Sequence, residues 1–272
     1  MDQLVMLSGI PRSGSQVLSS LLNQHPQIYS STTSPLVDAL LVLEEAWPGM
    51  RAHQIDAPPD QFDNMLRGVV QGAYSHIPKP IVVDKNRLWA RHTQLAARIL
   101  KSRPKIICTV RDIPEVLASF VLLIERNSHK VTYVDQDLKD MGLPINTKNR
   151  CRVLWERYIY HPYTSLRIGY NSAQADMLVL DYHHIVDHSQ TTMDKVCEFL
   201  GIESVSVNTH SLQPMPENDQ AHGGLEGLHE VRAQMKRTSP PAHEVIGREL
   251  VHLYTSMKLD FWRNPRTNFA KN

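Results

Sequence analysis

The sequence has little of what marks several specialised classes of protein. It has no run of 18 or more apolar residues, so we expect no membrane-spanning helix and no membrane partner. Its 29 basic and 28 acidic side chains give a net charge of +1, whereas a surface that binds nucleic acid usually carries a marked basic excess. The composition therefore predicts no nucleic-acid partner and requires that any bound anion be held by a local pocket.

Cysteine is also scarce. Cys108, Cys151 and Cys197 are far apart in the sequence and form no CxxC pair, a usage typical of reduced thiols. Residues 1–3 lead directly into an apolar run, with no basic stretch before it. From these features we expect a cytoplasmic protein.

What the sequence does contain is an alternation of short apolar runs and longer amphipathic ones. The short runs at 4–7, 81–83, 106–110 and 177–180 are predicted strands. Strands that alternate with helices are typical of βαβ units and a parallel sheet. The sequence therefore predicts an α/β protein.

The longer segments complete this outline. We expect residues 1–272 to form one domain, with a core over 1–202 and a C-terminal loop and closing helix over 203–272. The remaining predictions are helices over 34–47, 60–76, 88–101 and 112–126, a helix over 147–172 kinked at Pro162, a loop over 48–59, a polar surface insertion over 127–146 and a closing helix over 243–257.

The clearest motif is a glycine-framed loop, residues 9–14 (GIPRSG), between the first predicted strand and helix. Such a loop turns backbone N–H groups toward an anion, beside the positive end of the helix dipole. Its glycine spacing is that of a nucleotide P-loop, but Ser15 and Gln16 stand where the P-loop has lysine and a magnesium-binding hydroxyl. The cation of this loop is Arg12. The motif thus predicts a phosphate-type anion site and argues against ATP or GTP hydrolysis.

A second cation, Arg111, directly follows the predicted strand 106–110. Ligands of open α/β sheets bind at the carboxyl ends of the strands, so Arg111 is expected at that edge. Ser119 lies eight residues further on, a little over two helical turns, which turns it toward the same end. The alternative is that Arg111 pairs with Asp112 or Glu115 in a surface network.

Lys85 is a third candidate cation, shortly after the predicted strand 81–83. A lysine at the ligand edge of a sheet can neutralise charge on a leaving group or on an anion in transfer. The alternative is an ordinary solvated lysine.

Together these residues resemble the sulfotransferase family that uses 3′-phosphoadenosine 5′-phosphosulfate (PAPS). Residues 9–15 and 25–26 resemble the phosphosulfate loop and the following His-Pro step of its Golgi and bacterial branches. Residues 110–119 resemble the 3′-phosphate motif, with the arginine and serine at the family's spacing. Lys85 is similar to the lysine that tyrosylprotein sulfotransferases carry after their third core strand, and 180–182 resemble a stretch whose tyrosine lines the nucleotide.

The resemblance covers roughly residues 3–200 and implies a P-loop-NTPase-like, three-layer α/β/α fold with a mostly parallel central sheet. It also implies that Lys85 stabilises the bridging oxygen as sulfur passes to the acceptor, with Arg12 beside it as a catalytic cation. The cofactor contacts that it implies are Arg12, Ser13, Gly14, Ser15 and Gln16 at the 5′-phosphosulfate, Arg111 and Ser119 at the 3′-phosphate, and Tyr182 at the adenosine.

The implied reaction moves a sulfuryl group from PAPS to a hydroxyl or amine and releases 3′-phosphoadenosine 5′-phosphate (PAP). Fixed cations and N–H donors suffice for the charge that develops, so no metal is expected. The acceptor is a small molecule, a carbohydrate or a peptide, and the oligomeric state stays open. Two alternatives are an ATP-dependent, kinase-like phosphotransferase and a PAP- or PAPS-binding module without catalysis.

The sequence departs from the family pattern in two ways. Family loops usually carry threonine where this chain has Ser15, and the tyrosine-sulfating branch has adjacent glutamates in a region where residues 29–34 contain no carboxylate. A general base must reach the proton of the acceptor. The first candidate is Asp38, and the others are Glu44, Glu45, His25 and His92.

A basic, hydroxyl-bearing stretch in the C-terminal loop also matches a feature of the family, whose corresponding segment folds over the nucleotide. Lys236, Arg237 and Thr238 are the expected contacts. The alternative is a solvated turn before two prolines.

Overall fold

A computed structural model describes residues 1–56, 58–215, 218–219, 224–235 and 240–263. At its centre is a five-stranded sheet in the order β2-β3-β1-β4-β5, with every neighbouring pair parallel. The strands are β1 (Gln3–Gly9), β2 (Ile28–Ser30), β3 (Ile81–Lys85), β4 (Lys105–Val110) and β5 (Asp176–Asp181).

Helices cover both faces of this sheet, which explains the nearly continuous apolar runs of its strands. In β1, Leu4 and Met6 pack into the core on one face, whereas Val5 and Leu7 pack into the core on the other. This alternation follows from the two-residue period of a strand. The structure confirms the predicted three-layer α/β/α fold.

The two helical layers differ in size. One face is covered by α1 (Ser15–Leu22), α10 (Tyr182–Asp187) and α11 (Ser189–Leu200). The helices that pack on the other face are α2 (Leu36–Ala46), α4 (Gln61–Ala73), α5 (Thr93–Leu100), α6 (Ile113–Arg126), α7 (Tyr133–Asp140), α8 (Thr147–Val153), α9 (Tyr160–Ser172), α12 (Ala242–Ile246) and α13 (Arg248–Ser256).

Three short elements differ from the sequence predictions. Strand β2 was not predicted, because three residues are too few to show a period. The predicted loop 48–59 contains α3 (Arg51–Ile55), which has no buried residue and hence no amphipathic signal. The insertion 127–146 contains α7, which begins where the Thr132 hydroxyl accepts a hydrogen bond from the Asp135 N–H at 3.2 Å.

The predicted helix 147–172 is interrupted, although not at Pro162. A π-helical segment (Leu154–Ile159) separates α8 from α9, and Pro162 lies three residues after the end of that segment. The closing helix is also divided, since Gly247 has φ +83° between α12 and α13.

Two observations bear on the expectations from composition. The three cysteines are buried and form no disulfide, and burial raises the pKa of Cys151 to about 12, so that this thiol is unreactive. Among the helices of the described residues, none combines the length and the apolar character needed to cross a bilayer.

The strand order determines where a ligand can bind. From β1 the sheet extends to β3 and β2 on one side and to β4 and β5 on the other. Loops that leave the carboxyl ends of β1 and β4 therefore diverge and open a crevice between them.

Candidate active site

A cavity of about 720 Å³ opens at the carboxyl ends of β1, β3 and β4. This volume is within the range of small-molecule sites. Most of the predicted site residues come together in its wall: Arg12, Gly14, Ser15, Gln16, Asp38, Lys85, Arg111, Ser119 and Tyr182.

Both framing glycines are required by the shape of the loop. Gly9 has φ +147°, and a Cβ atom there would lie 2.3 Å from the carbonyl oxygen of Thr109 in the neighbouring strand. Gly14 has φ +89° at the start of α1, and its Cβ would lie 3.0 Å from the Tyr182 ring. Glycine thus allows β1 to approach β4 and brings the start of α1 against the aromatic ring.

Ser13 stabilises the loop from within. Its fully buried hydroxyl lies 2.6 Å from the carbonyl oxygen of Ile10 and 2.6 Å from the Thr109 hydroxyl. The side chain is not part of the cavity wall. The hydroxyl is engaged by the strand behind the loop, and the contact of Ser13 with a phosphosulfate, which the resemblance implies, stays a prediction.

Arg12 lies in left-handed backbone conformation, with φ +59°, and its guanidinium is partly buried. Its Nε donates to the Ser119 hydroxyl at 3.1 Å, and a terminal nitrogen donates to the carbonyl oxygen of Leu228. Burial and the neighbouring charge of Arg111 lower the pKa of Arg12 to about 10. An anion bound between the two arginines would counteract both effects on this pKa, because its negative charge favours the charged guanidinium.

Arg111 is held in place at the carboxyl end of β4. Its guanidinium carbon lies 4.0 Å from the centroid of the Tyr182 ring, and one terminal nitrogen donates to the Arg12 carbonyl oxygen at 3.2 Å. Its Nε also donates to Glu115 at 3.0 Å. The sequence left two roles open for Arg111, at the ligand edge of the sheet or in an ion pair with Asp112 or Glu115. The two are compatible, because Arg111 pairs with Glu115 and still lines the cavity. Asp112 instead pairs with Arg263 at 2.7 Å.

Glu115 connects this arginine to a histidine. Its other carboxylate oxygen lies 3.0 Å from Nε2 of His183. Burial alone would raise the pKa of Glu115, but the hydrogen bonds and charges of Arg111 and His183 outweigh burial and lower it. The carboxylate therefore stays charged and fixes the orientation of Arg111.

Lys85 reaches the start of α1 from the end of β3. Its Nζ donates to the side-chain oxygen of Gln16, at the position where a P-loop carries its magnesium-binding hydroxyl. The next residue, Asn86, donates from its side chain to the Asp38 carboxylate at 2.7 Å. Lys85, the predicted catalytic cation, and Asp38, the first candidate base, thus lie on the same side of the cavity.

Of the candidate bases, only Asp38 lines this cavity. Glu44 lies in an ion pair at 2.7 Å, and Glu45 is exposed on the same helix. His25 is buried, with its Nε2 at 3.0 Å from a backbone carbonyl oxygen, and burial lowers the pKa of His92. The structure leaves these four away from the cavity wall.

Several residues of the wall were not predicted. Tyr158 lies in the π-helical segment and reaches the cavity, where its hydroxyl donates to Asp137 at 2.5 Å. A periodicity argument could not place it, because a π turn shifts the helical face. The others include Arg87, Arg126, Tyr133, His229, Glu230 and Arg232.

Lys236, Arg237 and Thr238 lie outside the described residues. The stretch before them, residues 224–235, is here named the covering segment. The Met235 N–H donates to the Thr209 carbonyl oxygen at 3.1 Å, and the Leu212 N–H donates to the Ala233 carbonyl oxygen at 2.9 Å. These bonds hold the covering segment against the rest of the C-terminal loop, where it forms one wall of the cavity.

This fold and this site belong to a family of transferases. The family model described as "Sulfotransferase family" matches residues 5–206, so the chain belongs to the sulfotransferase family. The matched stretch contains the glycine-framed loop, Lys85, Arg111 and Tyr182, whereas the covering segment lies beyond it.

Among curated proteins, the chain is similar to protein-tyrosine sulfotransferase 2 of Gallus gallus, with 21% identity over 207 residues that cover 73% of this chain and 51% of the relative. It is also similar to protein-tyrosine sulfotransferase 1 of Danio rerio, with 23% identity over 207 residues that cover 73% of this chain and 53% of the relative. The chain thus spans about half the length of these curated relatives.

Among solved structures, the chain is similar to the sulfotransferase domain from the curacin biosynthetic pathway. The TM-score is 0.53 with 16% sequence identity, and the match covers 94% of this chain and 96% of that domain. At this identity the likeness shows a shared fold.

Proposed function

We propose that this chain is a PAPS-dependent sulfotransferase that moves a sulfuryl group to a hydroxyl or amine and releases PAP. One observation carries the proposal: in a member of the sulfotransferase family, Arg12, Lys85 and Arg111 come from three separate stretches of sequence and line one cavity. Three cations at the edge of the sheet suit a ligand with several anionic groups.

The hydrogen-bond donors of the cavity wall suit the anionic groups of PAPS. Arg12, Gln16 and the start of α1 behind Gly14 form a cradle suited to the phosphosulfate, and Arg111 with Ser119 is suited to the 3′-phosphate. Burial and the Arg12–Arg111 repulsion, which lower the pKa of Arg12, favour a bound anion there. Tyr182 would border the adenosine.

PAPS supplies a sulfuryl group joined to a phosphate that leaves readily. Arg12 and Lys85 would stabilise the negative charge that develops on the leaving phosphate and on the oxygens of the sulfuryl group. The loop fixed by Gly9 and Ser13 holds these charges in place before the reaction, so that little reorganisation is needed. On this basis we propose a reaction without a metal.

The acceptor belongs to one of three classes: a small molecule, a carbohydrate or a peptide. The names of the relatives from Gallus gallus and Danio rerio make a peptide tyrosine the first acceptor to test. The buried, unbridged cysteines support the proposal of a reducing, cytoplasmic location.

The proposal is tested by calorimetric titration of the protein with PAP and with ADP, each with and without magnesium. We expect PAP to bind without metal, ADP to bind far more weakly, and Arg111→Ala to weaken PAP by roughly tenfold to a hundredfold, which corresponds to one charged hydrogen-bonding partner. Arg103→Ala is the control, because Arg103 pairs with Asp176 at the surface, away from the cavity.

Other results would point elsewhere. Magnesium-dependent binding of ADP, with no preference for the 3′-phosphate, would contradict the proposal and favour a phosphotransferase. Tight binding of PAP without transfer to water or to any acceptor would instead favour a binding module.

A further inference from the structure

The first candidate base is held by a single asparagine. Asp38 lies in the first turn of α2 and lines the cavity, and its Oδ2 accepts a hydrogen bond from Nδ2 of Asn86 at 2.7 Å. Among the described residues, Asn86 is the only one that hydrogen-bonds or pairs with this carboxylate. The direction in which the Asp38 side chain faces therefore depends on Asn86.

The side-chain amide of Asn86 is itself fixed by its other contacts. Its Nδ2 also donates to the Ser34 carbonyl oxygen at 2.8 Å, and its Oδ1 accepts from the Leu88 N–H at 3.0 Å. The Asn86 N–H donates to the Leu7 carbonyl oxygen at 3.0 Å. An amide has two N–H donors on its nitrogen and an acceptor on its oxygen, so this set of partners requires the nitrogen to face Asp38.

Asn86 also links the candidate base to the proposed catalytic cation. It directly follows Lys85, whose Nζ donates to Gln16 at the start of α1. The Lys85 carbonyl oxygen accepts from the Ser34 N–H at 2.9 Å, so the end of β3 is bound to the start of α2 as well. The other carboxylate in the described wall, Glu230, lies on the covering segment instead. Asp38 is thus the carboxylate on the Lys85 side of the cavity.

We propose that Asn86 is the positioning residue that directs Asp38 toward the acceptor, and that Asp38 is the catalytic residue that takes the proton of the acceptor. The inference rests on the proposed function. As the acceptor oxygen or nitrogen forms its bond to sulfur, its proton passes to the Asp38 carboxylate, which becomes a carboxylic acid. The bond between sulfur and the bridging phosphate oxygen breaks, that oxygen keeps the electron pair, and Asp38 later releases the proton to water.

A neutral amide suits this role better than a cation would. Lysine or arginine beside a carboxylate forms an ion pair that favours the charged form and so opposes proton transfer to it. The Asn86 amide orients the carboxylate without neutralising its charge. Asp38 is also exposed toward the cavity, so that an acceptor can reach it.

The first test compares acceptors that differ in their need for a base. PAP release from PAPS is measured with phenol, with 4-nitrophenol and with water alone, at a pH at which 4-nitrophenol is ionised and phenol is not. We expect Asp38→Asn to lose about a hundredfold in rate with phenol and water and far less with 4-nitrophenol, with an unchanged Kd for PAP. An equal loss with all three acceptors, or no loss, would overturn the assignment of Asp38.

The second test is a double-mutant cycle that separates positioning from a merely structural role. Asn86→Ala should lower the rate with phenol roughly tenfold in the wild type and cause almost no further loss in Asp38→Asn, because the base that it positions is already absent. Asn86→Asp, which keeps the shape of the side chain but turns an acceptor toward Asp38, should behave in the same way. Equal losses in both backgrounds would show that Asn86 is structural and would overturn its assignment.

Asn149→Ala is the matched control. The Asn149 amide likewise donates to a backbone carbonyl oxygen, that of Pro144 at 2.8 Å, but lies away from the cavity wall. We expect this variant to match the wild type with every acceptor. Binding of PAP without PAP release in any of the three reactions would overturn the role of Asp38, whereas absence of PAP binding to the wild type would overturn the proposed function itself.

Discussion

At the scale of single residues, the candidate site concentrates positive charge that the described residues compensate only in part. Within the described part of the chain, the Arg12 guanidinium donates to neutral acceptors, namely the Ser119 hydroxyl and the Leu228 carbonyl oxygen, and Arg111 shares Glu115 with His183. Buried charge that lacks a full partner destabilises a fold. An anion in the cavity would supply the opposite charge, so we expect these arginines to bind a ligand.

A second buried charge, on Asp84, predicts a pH dependence of stability. The carboxyl is fully buried in β3, where it accepts hydrogen bonds from Trp89 Nε1 at 2.5 Å and from the Tyr74 hydroxyl. Burial raises its pKa in the folded state. The folded chain then binds more protons than the unfolded one, so this group's contribution is complete below the unfolded pKa of about 4 and is lost as pH rises through the folded pKa.

Asp84→Asn removes that ionisation. The variant should lose stability at every pH, because the amide replaces one acceptor oxygen, but its deficit relative to the wild type should shrink as pH rises above about 4. Urea unfolding at several pH values between 4 and 8 measures the difference. Asp56→Asn, on an exposed carboxyl, is the control, and a deficit for Asp84→Asn that is constant across this range would contradict the prediction.

At the scale of elements, the end of β3 is positioned by a close helix contact. The 3₁₀ turn Arg87–Ala90 follows the strand, and Gly169 of α9 packs directly on it, so that a Cβ atom there would lie 1.8 Å from the Ala90 carbonyl oxygen. Since this turn carries Arg87 and begins two residues after Lys85, the helix contact helps to position two cations of the cavity wall.

Gly169→Ala should therefore destabilise the chain by about 3 kcal/mol or more, because backbone must move to admit the methyl group. Gly68→Ala offers the matched comparison. Gly68 lies in α4, also within a helix, but its Cβ would meet nothing within 4 Å, so alanine there should stabilise by roughly 0.5–1 kcal/mol. Both changes are read from chemical denaturation midpoints. Equal effects at the two glycines would show that packing against the 3₁₀ turn is not what requires Gly169.

At the scale of the whole molecule, the cavity joins distant parts of the chain. Its wall combines the loop after β1, the ends of β3 and β4, the π-helical segment and the covering segment. A ligand that contacts all of them binds the folded state alone, because unfolding separates its contacts. Binding should therefore stabilise the entire fold rather than one loop.

Saturation with PAP should accordingly raise the thermal midpoint. At a hundredfold excess over its Kd, PAP adds about 2.7 kcal/mol to the free energy of unfolding, which corresponds to roughly 5–10 °C for a chain of this size. Calorimetric scanning measures the shift, and Arg111→Ala at the same PAP concentration should show a smaller one. A midpoint unchanged by PAP would contradict the proposed site.

The sequence by itself determined the layers of the fold and the placement of several site residues. Hydrophobic alternation indicates the parallel sheet, and in such a sheet residues just after a strand reach one edge, so Arg12, Lys85 and Arg111 could be expected to meet there. These inferences need only local pattern and a general rule of topology. The resemblance to sulfotransferases rested on the same residues, and the family match confirmed it.

Only the tertiary structure decided what depends on contacts between distant residues. Ser13 turns its hydroxyl to Thr109 of β4, Tyr158 reaches the cavity through a π turn, and His229 receives its orientation from Asp219 within a loop without periodicity. No local pattern encodes these arrangements, because each follows from how separate elements pack. The sequence thus predicts which cations gather at the sheet edge, and the packing determines which neighbouring groups can act beside them.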